Sequence, residues 1–229
     1  MNHPISAPRI RFLTLALVFA SLVCLGLLGV RAVWAQEFIW SGFFGNLLLA
    51  WIPYGLACLL CVQLQRTPPR RSWIAALFVA WLLFFPNAAY IVTDLMHLNK
   101  ARGMPRWFDY ILITAYAWTG LFLGYISLSL LHARVRAWRG AGIGWVFVAA
   151  SLFASSCGIY VGRYLRWNSW DVLTRPGKIG DGLVKLAEPE KFSEAFAFSI
   201  TFFVFSGIVY GMLHALAHLH APLPVRVER

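Results

Sequence analysis

The chain is 229 residues long, 60% hydrophobic and 13% charged, with a mean hydropathy of +0.67 and a formal net charge of +11. Charged residues are at about half the share usual for a soluble domain, and the long apolar runs exclude an ordinary water-soluble globule. Nucleic acid is excluded as a partner, because Lys and Arg fall in short stretches between apolar runs; that pattern fits anionic headgroups and topology control.

Six segments are long enough to cross a bilayer at about 20 residues each. They lie near 12–30, 43–64, 73–92, 109–131, 143–162 and 195–218. The predicted fold is therefore all-α, a polytopic transmembrane helix bundle forming one membrane domain over residues 1–229. The first segment follows Arg9 and Arg11 and has a rival reading as a signal peptide, with Val33-Trp34-Ala35 offering a cleavage point before Gln36. Its apolar stretch exceeds the roughly 7–15 residues of a signal peptide, so a retained helix is expected. Cleavage would leave five helices in the same orientation.

The second segment holds Cys58-x-x-Cys61 in an apolar setting with no second pair, and Cys24 and Cys157 also sit in apolar runs. Small packing residues are the expectation, with no redox, zinc or disulfide framework. In the third segment, Pro86 should kink the helix and free the carbonyl near Leu82, with Asn87 placed to interact with freed backbone groups. Segments 4, 5 and 6 carry Gly120-x-x-x-Gly124, Gly158-x-x-x-Gly162 and Gly207-x-x-x-Gly211, and Ser151 and Ser155 add to the small face of segment 5. Close helix approach follows, predicting a tight bundle of segments 4 to 6. Beyond segment 5 lies the longest loop, about 163–194. Ile179, Leu183 and Leu186 recur there at helical spacing among Lys178, Asp181 and Lys185, predicting a short amphipathic interfacial helix ended by Pro189.

Raw Lys and Arg counts on the two sides are tied, ten to ten. Two short acid-free clusters, Arg66/Arg70/Arg71 and Arg134/Arg136/Arg139, favour cytoplasmic N- and C-termini. Segments 3 and 5 run in the same direction, so their ends emerge on one face whichever way the bundle sits. With the termini inside, that face is extracytoplasmic.

Two polar strings stand at those ends. In the first, Asn87, Tyr90, Asp94 and His97 are spaced 3, 4 and 3, which puts all four on one face of a continuing helix. This is either a helix end tied down by hydrogen bonds or a polar face lining a cavity. Asp94-x-x-His97 has the side-chain types of a metal site, with Asp171 as the best third ligand, but a zinc site needs at least three protein ligands and none is assigned. His214 and His218 lie at the opposite end and read as interfacial. In the second string, Arg163 and Arg166 lie one turn apart, Trp167 and Trp170 suit interface anchoring, and Asn168 or Ser169 suits a cap with Asp171 in the following turn. An anchor with salt bridges from Arg163 or Arg166 to Asp94 or Asp171 is one reading. The other is an anion clamp in which the guanidinium groups grip phosphate or carboxylate. The candidate catalytic acids and bases are then Asp94, His97 and Asp171, and the candidate binding residues are Asn87, Tyr90, Arg163, Arg166 and Asn168. No nucleophile motif, phosphate loop or dinucleotide fingerprint is present.

The strings Phe85-Pro86-Asn87-Ala88-Ala89-Tyr90, Thr93-Asp94-Leu95-Met96-His97-Leu98 and Gly162-Arg163-Tyr164-Leu165-Arg166-Trp167-Asn168-Ser169-Trp170-Asp171 resemble the bacterial membrane-protein family called domain of unknown function 1361 (DUF1361). The resemblance covers about residues 45–218. The family pattern often has a second proline where this chain has Ala89. The resemblance implies a polytopic membrane architecture and no established activity. The expectation is a multi-pass protein of a bacterial inner membrane, with membrane lipids as partners, whose outward polar site binds a lipid or lipid-linked anionic headgroup, catalysis left open. A small-solute transporter and a structural or assembly subunit are the alternatives. Cofactors and oligomeric state are not legible.

Overall fold

The computed structural model describes residues 7–35, 41–66, 70–100, 104–175 and 186–218, together with positions 177, 180, 182 and 184. All regular structure among them is helical, as expected for an all-α bundle. In chain order the elements are α1 (Ala7–Ala35), α2 (Ser41–Gln63), α3 (Arg71–Tyr90), a 3₁₀ segment (Ile91–Lys100), α4 (Arg106–Arg139), α5 (Ala141–Tyr164), the single turn α6 (Asp171–Thr174) and α7 (Pro189–His218). Six of the helices are long and apolar enough to cross a membrane, which suggests a multi-pass membrane protein in a lipid environment. Helix is the form such segments take because each satisfies its own backbone groups where water cannot.

α4 is the most buried of the six, and α1 and α7 the least. Around α4 stand α2, α3 and α5; α1 leans on α4, and α7 leans on α5. Lipid tails are as apolar as leucine, so contact and hydrogen bonding rather than water exclusion hold such helices together. Trp81 on α3 is fully buried, stacks on Phe85 with centroids 4.8 Å apart and donates from Nε1 to Ser127 Oγ of α4 at 3.2 Å. Trp51 of α2 donates to Ser21 of α1 at 3.1 Å, and Thr14 of α1 meets the Tyr54 hydroxyl of α2 at 2.6 Å.

The glycine motifs pack differently from the expected cluster of segments 4 to 6. A Cβ at Gly120 would run into the Ala88 carbonyl, and one at Gly124 would lie 2.9 Å from Ala88 Cβ. A Cβ at Gly158 would come 2.7 Å from Pro86 Cγ, and one at Gly162 would come 3.4 Å from the Tyr90 ring. Both motifs therefore face the C-terminal half of α3, which is gripped between α4 and α5. Gly207 and Gly211 of α7 meet nothing within 4 Å. The physical reason lies in α3: a proline ring and two alanines make a surface that only glycine-lined neighbours can approach this closely.

Other differences concern α3 and the long loop. α3 runs through Pro86 as one helix and ends at Tyr90, where the chain tightens to 3₁₀ instead of continuing as α-helix. Of the expected amphipathic helix between segments 5 and 6, residues 180, 182, 184 and 186 are helical. Lys178, Ile179, Asp181, Leu183 and Lys185 lie outside the described residues, as do Gln36 at the cleavage point considered for the first segment, Pro176 and the side chain of His218.

Candidate functional site

Five helix ends meet at one end of the bundle: the C-termini of α1, α3 and α5 and the N-termini of α2 and α4. Arg163 and Asp94 join the ends of α5 and α3, Asn46 adds α2, and Arg31 and Asp109 join α1 to α4. Arg163 lies in the last turn of α5, and Asp94 lies in the 3₁₀ segment that follows α3. The guanidinium Nη1 donates to Asp94 Oδ1 at 2.9 Å and to the Tyr90 hydroxyl at 3.2 Å, and Nη2 donates to the Thr93 carbonyl at 2.7 Å. The same guanidinium sits 5.4 Å from the Tyr90 ring centroid. Asn46 Nδ2, from the first turns of α2, donates to the other Asp94 oxygen at 3.0 Å. Both oxygens of this buried carboxylate are thus engaged by partners from two helices.

The local sequence explains the arrangement. The 3₁₀ segment places residues three apart in one row and leaves carbonyls poorly used. Thr93 Oγ1 turns back to the Tyr90 carbonyl at 2.6 Å, and its own carbonyl goes to Arg163. Gly162 immediately before Arg163 lets the Tyr90 ring lie close to the α5 backbone.

A second contact joins the two strings. Asn87 Nδ2 donates to the Phe84 carbonyl at 3.1 Å and to Ser169 Oγ at 2.9 Å, and Ser169 Oγ donates to the Leu83 carbonyl at 3.0 Å. The backbone oxygens served near Pro86 are therefore those of Leu83 and Phe84, one and two positions beyond the expected Leu82. Ser169 ties the string after α5 to α3 instead of capping a new helix.

Arg166 has a left-handed backbone, φ 53°, the single non-glycine residue of that kind among the described residues. The conformation costs an L-residue about 1–2 kcal/mol, yet it closes α5 as a glycine would. Leu165 and Trp167 both return their N–H groups to the Val161 carbonyl, at 3.1 and 3.5 Å. The chain then turns through a reciprocal pair: Asn168 N donates to Asp171 Oδ2 and Asp171 N donates to the Asn168 carbonyl, each at 2.9 Å. Asp171 is buried; Tyr164, Arg166, Asn168 and Trp170 are exposed around it. A Cβ at Gly182 would collide with the Trp167 indole, so Gly182 packs against this corner.

The candidates thus divide by contact. Tyr90, Asp94 and Arg163 form one network, Asn87 joins Ser169, and Asn168 joins Asp171; Arg166 stands at the exposed rim. The His97 side chain lies outside the described residues. Sequence reasoning missed Asn46 and Thr93, and it missed a second ion pair at the same end. Arg31 Nε donates to Asp109 Oδ1 at 2.7 Å, joining the end of α1 to the start of α4, and both side chains are fully buried. The signal was available: both charges end apolar runs that emerge on one face, where unpaired charge is costly. At the other end, His214 packs against His132 and Trp145 with ring centroids 5.3 and 5.0 Å away, and His132 Nδ1 meets the Tyr210 hydroxyl at 2.9 Å. Among the described residues no group of three or more His, Cys, Asp or Glu is placed to hold a metal ion.

A family model described as a protein of unknown function matches residues 45–210. Neither a curated protein nor a solved structure matches the chain.

Proposed function

The chain belongs to the DUF1361 family, and we propose that it is a multi-pass membrane protein whose network-bearing end binds the anionic headgroup of a lipid or lipid-linked molecule. The observation that carries this reading is the exposed Arg166 in a strained left-handed backbone, beside the half-buried Arg163 that bonds Asp94, Tyr90 and the Thr93 carbonyl. Strain of this kind persists where surrounding structure holds it, and it clusters at ligand sites. Arg163 is the frame; Arg166, Asn168 and Trp170 are the contact surface. Arginine suits phosphate and carboxylate through its planar fork, and tryptophan suits the headgroup level.

In this reading Asp94 and Asp171 are positioning residues, since each already serves groups of the protein. Any acid–base chemistry would fall to His97. The extracytoplasmic face of a bacterial inner membrane is the proposed location, with both termini cytoplasmic, on the strength of the two acid-free arginine clusters. Residues 1–229 act as one membrane domain. The self-contained pairing of Asp94 favours one competitor, a structural or assembly subunit in which this end only locks the bundle.

Titration of the purified protein with short-chain phosphatidic acid, followed by calorimetry, separates the two. Arg166→Gln and Trp170→Ala should each weaken binding about tenfold while leaving the unfolding midpoint unchanged. Wild-type affinity in both variants, with stability lost only in Asp94→Asn and Arg163→Ala, would favour the lock.

A further inference from the structure

The fold sorts charge by end. Every acidic residue among the described residues (Asp94, Asp109, Asp171, Glu188, Glu190 and Glu194) belongs to the end described above or to the loop and first turns of α7 that adjoin it. The opposite end holds Arg66, Arg70, Arg71, Arg134, Arg136 and Arg139, all exposed or half-buried, with no acidic residue among the described residues beside them.

The two arginine triplets are separate in sequence and stand at the ends of helices that pack on one another. α2 and α3 both pack on α4, which brings their arginine-bearing ends alongside its C-terminal turns. From the start of α5, Gly144 would place a Cβ 3.2 Å from Arg136 Cβ, so α5 closes the other side. α4 has 34 residues, about 51 Å at 1.5 Å per residue, against a hydrocarbon core of about 30 Å. Its last turns therefore ride at headgroup depth. There Arg139 lies 4.1 Å from the exposed Trp138 ring, an arginine–aromatic pair suited to that layer.

We propose that these six arginines form a binding face for phosphate-bearing anionic lipid, distinct from the site at the other end. Among the described residues no acid lies at this end to neutralise them, and the anionic headgroups of the leaflet supply the counter-charge. Arg134 and Arg136 lie two residues apart on α4 and point to different sides of it, so the guanidinium groups ring this end and can engage separate headgroups. Each arginine near a charged surface contributes roughly a fivefold gain in affinity.

The test is native mass spectrometry of the full chain released from nanodiscs containing phosphatidylglycerol and phosphatidylcholine, counting retained lipid of each kind. The wild type should retain phosphatidylglycerol preferentially. Arg134→Gln/Arg136→Gln/Arg139→Gln should lose that preference by roughly two orders of magnitude, and the corresponding lysine triple should keep most of it. Arg66→Gln/Arg70→Gln/Arg71→Gln changes only exposed side chains and should lose it also, so a folding defect in one triple leaves the test standing. Retention that ignores lipid charge, or that falls only in Arg166→Gln, overturns the proposal. So does a salt-sensitive acidic protein that co-purifies while lipid preference is absent. Because Arg166 lies at the other end, failure here and failure of the headgroup site read out in different variants.

Discussion

Truncating Arg163 to alanine removes three hydrogen bonds at once, to Asp94, Tyr90 and the Thr93 carbonyl. Asp94 is left as a buried carboxylate that has lost its counter-ion, with Asn46 still donating to it. Removing one member of a buried ion pair costs about 3–5 kcal/mol. The Arg163 and Asp94 side chains are 11% and 6% exposed, which places this pair at the lower end, about 3 kcal/mol, or roughly 150-fold in the unfolding constant. Asp94→Asn keeps the shape and loses the charge, for about 2 kcal/mol. In the double variant no buried charge is stranded, so the cost should be about 3.5 kcal/mol instead of the sum of 5, a coupling of about 1.5 kcal/mol. The assay is reversible unfolding in mixed micelles, followed by helix content, for the wild type and the three variants. Additive effects, with coupling below about 0.5 kcal/mol, would refute the argument that the two charges form a single buried unit.

Two further outcomes follow from packing and pairing. Gly120→Ala drives a Cβ into the Ala88 backbone carbonyl, which cannot swing aside, and should cost about 2 kcal/mol; Gly207→Ala meets nothing within 4 Å and should be neutral or slightly stabilising through helix propensity. Equal effects in the same unfolding assay would mean that α4 does not grip α3 as described. Arg31→Met strands the buried Asp109 carboxylate and should cost about 3–5 kcal/mol. Adding Asp109→Asn should recover at least half, and no recovery would show that the pair is not what joins α1 to α4.

The sequence carried the all-helical class and the six membrane-length segments, because crossing a bilayer demands about 20 apolar residues whatever the neighbours do. Alternating direction alone placed Asp94 and Arg163 on one face before any contact was known. The i, i+4 relation of Tyr90 and Asp94 was also legible, and one guanidinium touches both. What could not be read were the partners. Spacing shows that Gly120 and Gly158 admit a close neighbour, but any apolar helix satisfies that condition; only the assembled bundle selects the Pro86–Ala88 surface of α3. Asn46 and Thr93 were equally hidden. A lone asparagine and a backbone carbonyl have no periodicity, and their roles arise when helix ends remote in sequence meet, at 3.0 and 2.7 Å. Hydrophobic length is a property of one segment and can be counted along it. Charge pairing and close packing are properties of two surfaces, and they exist only after the helices have met.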